Sequence, residues 1–144
     1  MTRFLDIGGL ATRVVVDGPP GAPALLLIHS LGSHLQIWDA QAAALARGYR
    51  VIRYDLRGHG GTELARAPFD LDDLAADGLG VLDALGVDAA HVAGVSIGGL
   101  VAQAIAARAP TRVRSLVLIG TALAFPPPEL WRQRAATVRA EGVG

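Results

Sequence analysis

The 144-residue chain predicts an α/β domain, a mostly parallel sheet with helices on both faces. Three observations carry this. Short, continuously apolar runs such as Ala24-Leu25-Leu26-Leu27-Ile28 alternate with stretches of helical period, the pattern of right-handed β-α-β crossovers. The runs lack polar alternation, as strands buried on both faces do. Three of them lead into polar or glycine-rich sequence, at the carboxyl ends where open parallel sheets gather their functional groups.

The elements follow in order. Residues 3–7 and 11–17 alternate around Gly8-Gly9, which suits a hairpin with a glycine turn, and Gly18-Pro19-Pro20-Gly21 is a loop. After the 24–28 strand, a helix is expected from Ser33 to Gly48, with Ser33 and Gln36 forming a capping box. Leu35, Trp38, Ala42 and Leu45 form its apolar face and Gly48 ends it. Residues 49–54 are a strand and 55–62 the loop at its end. Asp70 caps the next helix, with Asp72 and Asp73 where the dipole favours acids. Leu71, Leu74, Val81, Leu82 and Leu85 are its stripe, and Gly86 stops it. His91 to Gly94 is a strand, followed by a helix to about Ala107 and a further buried strand over 115–119. After Gly120 the composition shifts. Pro128 suits a first helical position and Glu129 a first turn, with Leu130, Trp131, Thr137 and Val138 as apolar surface. The expected division is 1–121 as core and 122–144 as the start of a lid, cut short at its end.

Composition narrows the function. Hydrophobic residues at 51% and charged residues at 18% indicate a folded chain. The 13 basic residues, all arginine, balance 13 acidic ones, and their scatter argues against nucleic acid as a partner. Without cysteine, disulfides, thiolate metal sites and a cysteine nucleophile are excluded. No leader pattern or bilayer-spanning run is present, so no membrane partner is expected and the expected location is cytoplasmic.

The chemistry concentrates in Gly94-Val95-Ser96-Ile97-Gly98. Between a strand and a helix, this spacing reads as a nucleophile elbow, a sharp turn with serine at its apex and no bulk two residues to either side. Chance alone would give roughly 0.06 such matches at this glycine content. Ser96 is the candidate nucleophile. The backbone N–H groups of Ile97 and of Leu31, in the loop after the 24–28 strand, are the candidate oxyanion donors. His29 reads as a brace for that loop, and His34 as a solvated first-turn residue. Asp55, Arg57 and His59 read as a turn held by an Asp–Arg contact, with Gly58, Gly60 and Gly61 permitting tight geometry. Trp38 is expected in the core, and His91 at the start of its strand.

Together His29-Ser30-Leu31-Gly32-Ser33, Ile37-Trp38-Asp39-Ala40-Gln41, Arg53 to Gly60 and Gly94 to Gly99 resemble the α/β-hydrolase superfamily. Within it the chain is most similar to the 3-oxoadipate enol-lactonases of the β-ketoadipate branch of aromatic catabolism. Ser30-Leu31-Gly32 is typical of those enzymes where most relatives carry His-Gly, and Trp131 to Gly142 resembles the start of their lid helix. The resemblance covers only about the first half of a family member. It implies that Ser96 attacks a lactone or ester carbonyl, that the Leu31 and Ile97 amides hold the oxyanion, and that water hydrolyses an acyl-enzyme. It implies no metal or organic cofactor. Its substrates carry a free carboxylate, which makes Arg134 a sensible anchor, with Trp131 as the second candidate substrate-binding residue. It also implies that epoxide hydrolases and haloalkane dehalogenases carry Asp where Ser96 stands.

One departure stands out. All four histidines precede Ser96 and no Asp follows it, whereas the elbow's partners follow in the order acid, then histidine. The chain alone is therefore expected to be inactive or feeble. Its last strand is expected to present an apolar edge that invites self-association or a complementing chain. Alternatives are a carbon–carbon hydrolase, thioesterase or perhydrolase, or a non-catalytic ligand-binding or interaction protein on this scaffold. A dinucleotide site lacks its Gly-x-Gly-x-x-Gly fingerprint.

Overall fold

The computed structural model describes residues 2–125 and 127–142. Met1, Pro126, Val143 and Gly144, which fall within the expected 1–121 and 122–144 division, lie outside the described residues. The strands are β1 (Thr2–Ile7), β2 (Leu10–Asp17), β3 (Ala24–Ile28), β4 (Arg50–Tyr54), β5 (Ala90–Val95) and β6 (Val113–Ile119). They form one sheet in the order β1-β2-β4-β3-β5-β6. β1 and β2 pair antiparallel, as do β2 and β4, while β4-β3-β5-β6 run parallel. The helices are α1 (Asp39–Leu45), α2 (Leu71–Ala84), α3 (Ile97–Arg108) and α4 (Pro128–Glu141). Among the described residues no helix is long and apolar enough to cross a membrane.

The hairpin turn is two residues long, with φ of 59° at Gly8 and 82° at Gly9. That pair of positive angles makes the primed turn whose twist matches its strands. β3 is buried along its whole length because the sheet is covered on both sides. Leu26 and Ile28 face a core shared with Leu74, Val81, Leu82, Val101 and Ile105 of α2 and α3. Leu25 and Leu27 face the smaller core with Trp38 and Ala42. Asp70 caps α2 as expected, accepting from the Asp72 and Asp73 amides while Asp73 accepts from the Asp70 N–H. Gly86, at φ 64°, follows its end. Leu71, expected in the stripe, is exposed.

Two further expectations are corrected. The helix expected from Ser33 to Gly48 with a Ser33–Gln36 box begins as one 3-10 turn over Leu35–Trp38, continues as α1, and ends at Leu45. Ser33 does not cap it, because its hydroxyl donates to the Ser30 carbonyl at 2.7 Å. The Asp55 carboxylate, from the loop after β4, instead accepts the Leu35 N–H at 2.7 Å. The strand over 115–119 was expected to be buried, yet Val117 is 52% and Ile119 42% exposed. β6 lies at one of the two edges of the sheet among the described residues, and its apolar side chains lack cover.

The 55–61 loop is tied to α2 by an ion pair that is largely buried. Arg57 Nε and Nη2 donate to the two Asp77 carboxylate oxygens at 2.7 and 2.8 Å, and hydrogen bonding to Asp77 raises the Arg57 pKa further. Breaking such a pair from one side leaves an uncompensated charge. Asp77→Ala is expected to destabilise the fold by about 3 kcal/mol in urea unfolding, and Arg57→Met added to it should recover part of the loss.

Candidate active site

β4, β3 and β5 are parallel neighbours, so their carboxyl ends bring 55–61, 29–33 and the Ser96 turn to one edge of the sheet. Ser96 has φ 55° and ψ −118°, and it is the one non-glycine residue with positive φ among the described residues. This strained geometry holds because the flanking sites admit no side chain. A Cβ at Gly94 would lie 2.0 Å from the Gly98 carbonyl oxygen, and one at Gly98 would lie 2.4 Å from that of Ile28. A Cβ at Gly99 would meet the Thr121 side chain at 2.5 Å. The Ser96 peptide is clamped by the segment leaving β6: its N–H donates to the Ile119 carbonyl at 2.9 Å, and its carbonyl accepts from the Thr121 hydroxyl at 2.7 Å. The Ser96 side chain makes no capping bond to α3, so capping does not explain a serine here. Ile97 opens α3, and a first-turn amide has no intrahelical acceptor.

The loop after β3 is a tight turn in which the Ser33 N–H donates to the Ser30 carbonyl at 3.3 Å, with φ 69° at Gly32. The Leu31 amide takes part in neither this bond nor the one from Gly32 N–H to His59 Nε2 at 3.2 Å. His29, fully buried, braces the turn as expected. Its Nδ1–H donates to the Ser30 carbonyl at 2.8 Å and its Nε2 accepts the Leu56 N–H at 2.9 Å. These partners assign the neutral tautomer, and burial lowers its pKa below the usual 6.5.

The expected contact between Asp55 and Arg57 is replaced by two others. Asp55, fully buried, pairs with Arg13 at 3.4 Å and accepts the Leu35 and Gly61 amides at 2.7 and 2.8 Å, while Arg57 reaches Asp77. Gly60 has φ 52°, and a Cβ there would lie 2.2 Å from an Asp55 carboxylate oxygen. Trp38 is buried, and His91 near the start of β5 meets the Ser115 hydroxyl at 2.7 Å.

A cavity of about 960 Å³ opens between these loops and α4, lined among others by Leu31, Gly32, His34, His59, Gln133 and Arg134. Leu31 and Arg134 thus border the same space. Ser96, Ile97 and Trp131 are not among its lining residues. Trp131 instead packs against Phe125, with ring centroids 6.0 Å apart, and carries the Arg134 guanidinium over its own ring at 5.1 Å. Three supports escaped the sequence reading. Thr121 carried no signal, being an unremarkable residue after a strand. Asp77 did carry one: an acid on the buried face of α2 with Leu74 and Val81 implies a cationic partner. The bond from Gly32 to His59 joins loops too distant in sequence for spacing to reveal.

The family described as alpha/beta hydrolase fold matches residues 23–140. The chain is similar to 3-oxoadipate enol-lactonase 1 of Acinetobacter baylyi, 36% identical over 135 residues that cover 94% of this chain and 50% of that protein. It is similar also to Epoxide hydrolase A of Mycobacterium tuberculosis, 38% identical over 102 residues, covering 69% of this chain and 32% of that one. Among solved structures, the enol-lactonase from Burkholderia xenovorans LB400 matches with a TM-score of 0.94 at 38% identity, covering 97% of this chain and 55% of that chain. The chain spans about half the length of the enol-lactonases it matches.

The His29 environment makes stability depend on pH. The unfolded chain takes up the proton near 6.5, and the folded chain only at lower pH. The stabilisation is therefore complete above about 6.5 and is lost as pH falls from there toward the folded pKa. Urea midpoints should drop between pH 7.5 and 5, with a shallower drop in His29→Gln, whatever that variant's absolute stability.

Proposed function

The chain belongs to the α/β-hydrolase family, and from that premise we propose that it carries the nucleophile of a serine hydrolase acting on carboxylic esters or enol-lactones, 3-oxoadipate enol-lactone foremost. The observation that carries this is Ser96, strained at φ 55° between glycines whose replacement the backbone forbids, with a hydroxyl not spent on capping α3. A half-buried serine at the end of a central strand, its hydroxyl free of α3, can reach a carbonyl carbon brought to that end. As the tetrahedral oxygen gains charge, the Ile97 amide at the start of α3 and the Leu31 amide are its donors in this reading, aided by the helix dipole. The acyl-enzyme is then opened by water.

Family membership alone leaves the reaction open, since relatives include an epoxide hydrolase. Serine rather than a carboxylate at position 96 favours acyl transfer. Proton removal from Ser96 needs a histidine oriented by an acid. His29 and His59 have both ring nitrogens engaged in holding loops. In this fold the acid and then the histidine follow the serine, and no histidine follows Ser96 in these 144 residues; the reading therefore takes its base from outside them, and this stretch alone hydrolyses esters feebly.

Two measurements test the proposal. In the complete protein a fluorophosphonate probe should label Ser96, and Ser96→Ala should abolish labelling and lower kcat on the order of 10⁶-fold, as loss of a triad serine does. Labelling elsewhere, or turnover that survives the substitution, overturns it. Arg134 borders the cavity as the proposed carboxylate anchor. Arg134→Ala should raise KM about tenfold for a carboxylate-bearing substrate, the worth of one charge-assisted hydrogen bond, and leave KM for its neutral methyl ester nearly unchanged.

A further inference from the structure

We infer that His59 is a positioning residue for oxyanion binding: its imidazole accepts the Gly32 N–H and so locks the turn that presents the Leu31 amide. The role of Leu31 rests on the hydrolase reading; the brace itself rests on geometry. Ser30 to Ser33 form a four-residue turn closed by the Ser33 N–H on the Ser30 carbonyl. With φ 69° at its third residue, Gly32, this is the type II form. Types I and II differ by rotation of the middle peptide, the one joining Leu31 to Gly32. Glycine at the third position favours the type II form, and His59 secures it, because only this orientation aims the Gly32 N–H at Nε2, 3.2 Å away. The preceding peptide, which carries the Leu31 N–H, is held through its Ser30 carbonyl by His29.

The ring is itself held. Its Nδ1–H donates to the Arg57 carbonyl at 3.1 Å, leaving Nε2 as the acceptor. Arg57 is fixed to Asp77 on α2 through two short hydrogen bonds and lies over the Phe69 ring at 5.0 Å. The His59 ring also packs against that of His29, with centroids 5.3 Å apart, and His29 holds the Ser30 carbonyl at the other end of the same turn. A line of hydrogen bonds thus runs from α2 through Arg57 and His59 to Gly32, one residue from the proposed oxyanion donor. Preorganised donors need no reorientation as charge develops, and misplacement by about 1 Å can cost on the order of 10²-fold.

The test compares His59→Leu, which fills the space without accepting, with His59→Gln, whose amide can still accept from Gly32 and donate to Arg57. Amide hydrogen exchange over residues 30–33 is read in the 144-residue chain, and ester hydrolysis in the complete protein. His59→Leu should speed exchange at Gly32 by tenfold or more and lower kcat 10- to 100-fold with KM within twofold. His59→Gln should restore most of both. Equal kcat in all three proteins, or a loss in His59→Leu that His59→Gln does not recover, overturns the positioning role. Unchanged Gly32 exchange in His59→Leu overturns the brace. Absence of Ser96-dependent turnover in the unsubstituted protein instead defeats the hydrolase reading, and with it the oxyanion role, while exchange at Gly32 still decides the brace.

Discussion

Backbone meets backbone where the first turn of α3 crosses the end of β3, with no space for a methyl group. The Gly98 Cα lies against the carbonyls of Ile28 and His29, and Gly94 against Gly98 itself. This contact sets the distance between the helix and the sheet, and thereby the angle through which the chain turns at Ser96. Even an alanine at these glycines would force helix and strand apart and relax the bend that projects the serine. The positive φ of Ser96 is a consequence of this packing, not a preference of the residue.

Around that contact the loops are held by polar groups recruited from far along the chain. The buried Asp55 carboxylate serves the start of the 3-10 turn, the Gly61 amide and Arg13 together. One side chain thus fixes the relation between β2, the segment after β3 and the loop after β4. His29 joins the last two again through Ser30 and Leu56. Each group is buried and hydrogen-bonded, as low-dielectric surroundings demand. Rigidity at this edge of the sheet comes from such cross-links more than from regular structure.

What could be read from the sequence was what short-range physics decides. The elbow was legible because its steric demand falls on residues two positions either side of Ser96. β3 was legible because five apolar residues in a row fit a strand covered on both faces. The hairpin and the Asp70 cap are equally local. The Ser33 cap failed because the first turn starts later, at Leu35 after His34, with the Leu35 amide held by Asp55 twenty residues on, while the Ser33 hydroxyl turns back to the Ser30 carbonyl. Arg57 lies next but one to Asp55, and its pairing with Asp77 depends on how α2 lies on the sheet. The burial expected of residues 115–119 failed for another reason. Apolar composition marks a strand that can be covered, whereas coverage is decided by what lies beside it.

The bond from Thr121 to the Ser96 carbonyl, taken with that from Ser96 N–H to Ile119, ties the two matters together. The tight bend at position 96 is gripped through the two peptide units that flank the Ser96 Cα by the end of β6 and the segment leaving it, and β6 is an edge strand among the described residues. Fraying of that strand would slacken the grip on a bend whose dihedral the glycine contacts set. Steadying that strand and steadying the turn at Ser96 are, in this molecule, the same mechanical task.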